Sequence, residues 1–172
     1  MKKSFERKYL PEFVYGGIDG AVTTFAVVSG VLGASLSASI VLILGFANLI
    51  ADGFSMAVSN YLSVKSRNDV QGKRANAVKS ALATFASFCA IGFIPLFSFV
   101  MALVTNNPLT IKNQFYYSIL LTLIALGCVG WVKGKISQKN EIKSSVHTIL
   151  IGGIAAALAF ATGYLIKNLV IG

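Results

Sequence analysis

The sequence predicts an all-α integral membrane protein with five transmembrane helices, a cytoplasmic N-terminus and a C-terminus outside. The first observation is composition: 55% of the 172 residues are hydrophobic and only 12% are charged, against about 25% charged in a soluble domain. The second is the presence of five long apolar runs, since about 20 apolar residues cross a bilayer as a helix. The third is the distribution of Lys and Arg, which indicates orientation.

The five runs end where the sequence becomes polar or breaks a helix. The predicted spans, which form a single transmembrane domain over residues 1–172, are about 12–34, 37–64, 80–104, 114–134 and 146–167. The second run is longer than a bilayer requires, so we expect it to tilt or to extend into water near Lys65. Pro95 inside the third run predicts a kink, because proline has no N–H for the helical hydrogen bond.

The basic residues predict which ends of the spans face the cytoplasm. All fifteen Lys and Arg residues except Lys112 and Lys167 lie before the first span, in the short basic link 65–79 or between the fourth and fifth spans. Cytoplasmic loops carry such an excess. We therefore attribute the net charge of +9 to topology and not to nucleic-acid binding. With no cleavable signal peptide visible and no organellar signal, we expect a multi-pass protein of the cell (plasma) membrane, or of a vacuolar-type membrane in a eukaryote.

Small residues four positions apart predict close contacts between helices. This spacing fits packing within one protomer as well as a seam between two protomers. The pairs are Gly16 with Gly20, Ser29 with Gly33, and Gly153 with Ala157.

Two acids lie within the apolar runs, where a carboxylate costs about 2.5–3.5 kcal/mol on insertion scales. Asp19 is in the first span and Asp52 is in the second, with Met56 one helical turn further on. We expect no Lys or Arg of the spans to neutralise Asp19. Carboxylate oxygens combined with a thioether suit a borderline ion such as Fe²⁺ better than Mg²⁺ or Ca²⁺.

Further polar residues continue along the helix faces that carry these acids. The first span has Glu12, Asp19 and Thr23 on one face; the second has Asn48, Asp52, Met56 and Asn60, with Ser55, Ser59 and Ser63 alongside. Helical rise gives depths of roughly 10 Å for Asp19 and 12 Å for Met56, so we expect these two residues to face each other, with Asp52 one turn deeper. Polar faces of this kind meet each other or line a wet path. Alternatively, Asp52, the asparagines and the serines only join helices through hydrogen bonds.

The same residues resemble the vacuolar iron transporter family. The segment Y-G-G-I-D-G-A-V-T-T-F-A-V-V-S-G in the first span is similar to that family's first helix, with its D-G pair. The segment A-D-G-F-S-M-A-V-S-N-Y-L-S-V-K-S is similar to its second helix, with S-M and Y-L-S-x-K-S. The remaining three spans resemble its third, fourth and fifth helices in order, so the resemblance covers nearly the whole chain.

The resemblance implies a homodimer that exports Fe²⁺, and often Mn²⁺, from the cytoplasm in exchange for protons, with the ion path on the two-fold axis. It implies that Asp19 and Met56 are metal ligands and that Glu12 is an acid at the cytoplasmic mouth. The metal is then a transported substrate, and no cofactor is expected. From the polar faces we add Asp52 as a further metal residue, and as residues lining the pathway Thr23, Asn48, Ser59 and Asn60.

Two departures from the family pattern leave a second function open. The family has a glutamate-rich cytoplasmic domain between its second and third helices, whereas the link here is short and basic, with one acid, Asp69. The family also usually has Gly-Glu-Tyr where this chain has Ser59, Asn60 and Tyr61. The alternative is a non-transporting membrane protein that senses metal or scaffolds a complex. We expect no enzyme, because one histidine and no nucleophile–base pair leave no catalytic chemistry to assign.

Overall fold

The computed structural model describes residues 2–72 and 74–170, and side chains from residue 9 onward. The described residues form six helices and no strand: α1 (Lys2–Gly33), α2 (Ala38–Gln71), α3 (Ala77–Gly92), α4 (Ile94–Thr105), α5 (Pro108–Ile136) and α6 (Glu141–Val170). Four of them are long and apolar enough to span a membrane, and α3 with α4 would make a fifth span. The predicted all-α membrane class is confirmed. The count of five spans holds if α3 and α4 cross as one unit.

The helices extend beyond the predicted spans because polar residues also form helical turns. The α2 helix continues to Gln71, so the connection to α3 is shorter than the predicted link 65–79, of which Lys73 lies outside the described residues. The α5 helix begins at Pro108, where the side chain of Asn107 accepts a hydrogen bond from the Leu109 N–H at 2.9 Å. The α6 helix begins at Glu141, preceded by Asn140, whose side chain accepts from the Lys143 N–H at 3.0 Å. Such N-caps start a helix before its apolar run begins.

The predicted kink in the third span is confirmed as a break at Phe93, where α3 and α4 meet at 51°. Pro95 lies in the first turn of α4 and cannot continue the hydrogen-bond ladder of α3. On the other side of the break, the Phe93 N–H still donates to the carbonyl of Cys89 at 2.9 Å. Ser118 of α5 donates to the carbonyl of Pro95 at 2.6 Å, which fixes the first turn of α4 against α5.

The α1 helix is central, since it contacts every other helix. It crosses α3 at very short range: a Cβ added at Gly16 or Gly20 would overlap the α3 backbone at Thr84 or Phe88. A Cβ at Gly33 would overlap α6 at Phe160 in the same way. Gly16, Gly20 and Gly33 therefore serve packing within the protomer. By contrast, Gly153 on α6 has no atom within 4 Å of such a Cβ.

The helix ends predicted to be cytoplasmic lie at the same end of the bundle. One pocket there is lined by residues of both α1 and the C-terminal end of α5, including Leu10 and Lys133. A second is lined by Glu12 of α1, Arg67 of α2 and Ala75 of the connection to α3. At the opposite end, Lys167 of α6 donates to Ser35 in the α1–α2 turn at 2.9 Å. The side of the membrane that each end faces remains a prediction.

The close approach of α1 and α3 gives a first prediction. Replacing Gly20 with Ala should lower the free energy of unfolding by about 1–3 kcal/mol, because the new methyl group forces the two backbones apart. Thermal unfolding of the purified protein in detergent measures this change. The same substitution at Gly153, which faces open space, should leave the unfolding temperature unchanged or slightly higher. Equal losses at Gly20 and Gly153 would contradict the close crossing of α1 and α3.

Candidate metal site

The polar faces of α1 and α2 meet in antiparallel register. Near the middle of both helices, Asn48 donates to the hydroxyl of Thr23 at 3.4 Å. Towards the basic end of the bundle, Glu12 and Asn60 line one cleft of about 390 Å³. Between these two levels along the helices lie Asp19 of α1 and Asp52 of α2. The structure thus brings together the two faces that the sequence predicts to meet.

Asp19 is half-buried on α1. Its backbone carbonyl accepts a hydrogen bond from the hydroxyl of Thr23 one turn later, at 2.9 Å. Lys133, at the end of the predicted fourth span, lines the same pocket as Asp19. Asp52 on the facing helix α2 carries a charge of the same sign as Asp19. Like charges that share an apolar site are unfavourable unless a cation or a proton intervenes.

Asp52 is exposed in the isolated protomer. The α2 helix buries a different stripe against the bundle, which includes Leu49, Gly53 and Ala57. Ser55 and Ser59 are exposed close to Asp52. This polar strip cannot face lipid without a large desolvation cost.

Met56 and Asn60, the other predicted residues of the α2 face, point towards the inside of the protomer. Met56 is half-buried and packs against the apolar core cluster to which Leu49 and Phe88 belong. The amide nitrogen of Asn60 donates to the hydroxyl of Thr84 at 2.6 Å and to the carbonyl of Ser80 at 3.3 Å. Asn60 therefore joins α2 to α3. This is the role expected if the asparagines join helices through hydrogen bonds. Because Asn48 bonds to Thr23, it also joins two helices.

Glu12 has a buried carboxylate oxygen, Oε2, without a hydrogen-bond partner among the described residues. It lies in the cleft that also contains Asn60, Arg67 and Asn68. A buried carboxylate oxygen without a partner costs free energy. The Oε2 atom of Glu12 can therefore accept a cation, a proton or a hydrogen bond from water.

The acids of one protomer are spread along its helices. Within residues 9–72 and 74–170, whose side chains the structure describes, no three side chains of the His, Cys, Asp and Glu types come together. The level of Asp19 and Asp52 has two acids, with the Met56 thioether one turn away along α2.

A set of hydroxyl groups on α3 supports the site and was not predicted. Ser80, Thr84 and Ser87 are buried. Thr84 accepts the hydrogen bond from Asn60, and Ser87 donates to the backbone carbonyl of Glu12 at 3.5 Å. The signal lies in the sequence, because hydroxyl residues recur at positions i, i+4 and i+7 of an apolar helix and so share one face. They connect α3 to both helices that carry acids.

The fold and this site define a multi-pass α-helical membrane protein with acids on two of its spans whose polar faces meet. The VIT family model matches residues 10–74 and 69–164. The chain belongs to the VIT family, and the resemblance read from the sequence is confirmed.

Curated relatives match most of this chain. A vacuolar iron transporter of Plasmodium berghei is 24% identical over 96% of this chain and 85% of its own length. A vacuolar iron transporter of Toxoplasma gondii is 26% identical over 94% of this chain and 76% of its own length. The vacuolar iron transporter homolog 4 of Arabidopsis thaliana is 27% identical over 89% of this chain and 81% of its own length. The names of these proteins are those of transporters, in agreement with the expectation of no enzyme.

The alignments also bear on the predicted absence of a cytoplasmic domain. The alignment with the Plasmodium berghei protein extends over 231 positions, more than the 172 residues of this chain, so that relative has residues with no counterpart here. The alignment with the Arabidopsis thaliana protein extends over only 167 positions. The two stretches that match the family model meet at residues 69–74, where α2 connects to α3.

The contact of Asn60 with α3 gives a second prediction. Asn60→Leu should lower the free energy of unfolding by about 0.6–1.7 kcal/mol, the range for hydrogen bonds between membrane helices. The loss stays small because Thr84 keeps its bond to the carbonyl of Ser80 at 3.1 Å. The neighbouring variant Ser59→Ala, at an exposed position, should unfold at the wild-type temperature. Thermal unfolding in detergent compares the two, and a larger loss from Ser59→Ala would contradict the orientation of α2.

Proposed function

We propose that this protein is a homodimeric secondary transporter that exports Fe²⁺ or Mn²⁺ from the cytoplasm in exchange for protons. The observation that carries the proposal is that the faces of α1 and α2 that carry Asp19 and Asp52 meet, with Asn48 bonded to Thr23, in two helices long and apolar enough to span a membrane. Two such acids without a cation are costly at membrane depth, and a divalent cation relieves that cost. The names of the relatives support iron as the metal.

In the proposed path, the metal enters past Glu12, whose Oε2 atom lacks a partner among the described residues. It then binds between Asp19 and Met56 of both protomers and passes Asp52 on its way out. Thr23, Asn48, Ser59 and Asn60 line this path. The combination of carboxylate and thioether ligands favours a first-row transition metal over Mg²⁺ or Ca²⁺.

A second copy of the chain would remove two problems of the isolated protomer. It would cover the exposed strip that includes Asp52, Ser55 and Ser59, and it would double the number of acids and thioethers around one axis. Packing small and polar residues against each other is a common way for helices to associate in membranes. Both considerations support the homodimer.

The proposed direction of transport rests on the distribution of charge. The basic residues cluster at one end of the bundle, which the positive-inside rule assigns to the cytoplasm of a cell (plasma) or vacuolar-type membrane. Metal binding requires ionised carboxylates, so protons and metal compete for the same oxygens. This competition supports exchange of one for the other.

Flux measurements test the proposed site. In proteoliposomes loaded with a metal-sensitive dye, Asp19→Asn should reduce Fe²⁺ and Mn²⁺ uptake about tenfold or more, the scale of losing part of a metal site. Asp69→Asn is the matched control, because the same substitution falls at an exposed residue near the end of α2. Wild-type flux in Asp19→Asn would refute the assignment. A wild-type protein that binds metal and never moves it would instead favour the sensor or scaffold.

Cross-linking tests the proposed dimer. In a background with Cys89 and Cys128 replaced by Ala, a cysteine at Ser55 should form a disulfide between two protomers on mild oxidation in membranes. A cysteine at Leu158, which is exposed on α6, should remain monomeric on gels. Cross-linking at Leu158 but not at Ser55 would contradict an interface formed by the polar strip of α2.

A further inference from the structure

A pocket of about 500 Å³ lies between α1 and the adjoining parts of α5 and α6. Most of its wall is apolar. The α1 side is a stripe with a residue every four positions, completed by one residue each from α5 and α6. These wall residues are Leu10, Val14, Ile18, Val22, Ile136 and Ile151. The proposed metal path does not use this wall.

The pocket has the length of one membrane leaflet. Leu10 and Val22 are twelve positions apart, which is roughly 18 Å along α1, and the hydrocarbon of one leaflet is about 15 Å thick. Tyr15 and Asp19 also line the pocket. They follow Val14 and Ile18 by one position, so they lie at one edge of the apolar stripe.

The polar groups of the pocket are unequally distributed along its length. Lys133 and Ser137 line it where α5 ends, at the basic end of the bundle. Within the described part of the chain, the ammonium of Lys133 makes no ion pair or hydrogen bond. Trp131 lies at the same level, with the ammonium of Lys135 4.6 Å from its ring centre. Exposed tryptophan beside lysine is typical of the headgroup region of a membrane.

We propose that this pocket binds an anionic phospholipid from the leaflet at the basic end of the bundle. An acyl chain lies along the α1 stripe, and the phosphate contacts the ammonium of Lys133 and the hydroxyl of Ser137. The charges fit, because an unpaired cation stands at the headgroup end while Asp19, further in, repels the phosphate and keeps it at the surface. Basic pockets between membrane helices commonly bind anionic headgroups. This inference does not depend on the proposed transport of iron.

Native mass spectrometry of the full-length protein tests the proposal, with phosphatidylglycerol and phosphatidylcholine of identical acyl chains as probes. Phosphatidylglycerol should bind more tightly, and Lys133→Gln should weaken it about fivefold, the effect of one lysine near an anionic surface. Lys133→Gln should leave phosphatidylcholine binding unchanged. Lys143→Gln is the matched control, because Lys143 is exposed in the same basic region and lies outside the pocket wall. It should leave the binding of both lipids unchanged.

A second pair of variants tests the apolar wall. Ile18→Trp should reduce binding of both lipids by filling the pocket, and Val14→Trp serves the same purpose if the first variant does not fold. Inorganic phosphate at millimolar concentration should not displace phosphatidylglycerol, since the acyl chain contributes to binding. The proposal is overturned by equal losses in Lys133→Gln and Lys143→Gln, by no preference for phosphatidylglycerol, by displacement with phosphate, or by unchanged binding in both tryptophan variants. If either tryptophan variant alters the dimer fraction alone, a second copy occupies the pocket instead.

Discussion

The cost of a carboxylate in hydrocarbon is the constraint on which the arrangement of this bundle depends. Asp19 lies on α1, and α1 is the helix that all the others contact. Its position is held from the side of α3 by a crossing so close that Gly16 and Gly20 leave no room for side chains. The acid on the central helix is thus half-buried by protein, and it lines the pocket beside Lys133.

Three different faces of α1 meet three different environments. The glycine face packs on α3, whose buried hydroxyl groups also hold α2 through Asn60. The polar face of α1 meets α2 where Asn48 donates to Thr23, and the stripe from Leu10 to Val22 forms the wall of the pocket. The break at Phe93 allows this division, because α3 packs with α1 and α2 while α4 packs with α5 through the rings of Phe99 and Phe115, 4.9 Å apart.

The sequence predicts what depends on period and hydropathy, and it leaves open what depends on how helices cross. The spans, the break near Pro95 and the meeting of two polar faces all follow from local patterns. Helical rise predicts that Met56 faces Asp19, and the Thr23–Asn48 contact fixes one point of the register between α1 and α2. Tilt and crossing angle, which local patterns do not predict, set the rest of that register. The proximity of Lys133 to the Asp19 pocket joins segments far apart in sequence, so no local pattern could indicate it.

The asparagine at position 60 illustrates how one substitution changes both charge and packing at the basic end of the bundle. The family pattern Gly-Glu-Tyr has an acid at this position. A carboxylate could not donate to the carbonyl of Ser80, whereas the amide of Asn60 donates both there and to the hydroxyl of Thr84. The chain thus exchanges a charge that attracts cations for a contact that fixes α2 to α3. Glu12 is the one acid among the residues that line this cleft, and Arg67 lines it too, so Asn60 leaves this end of the bundle with less negative charge than the family pattern would.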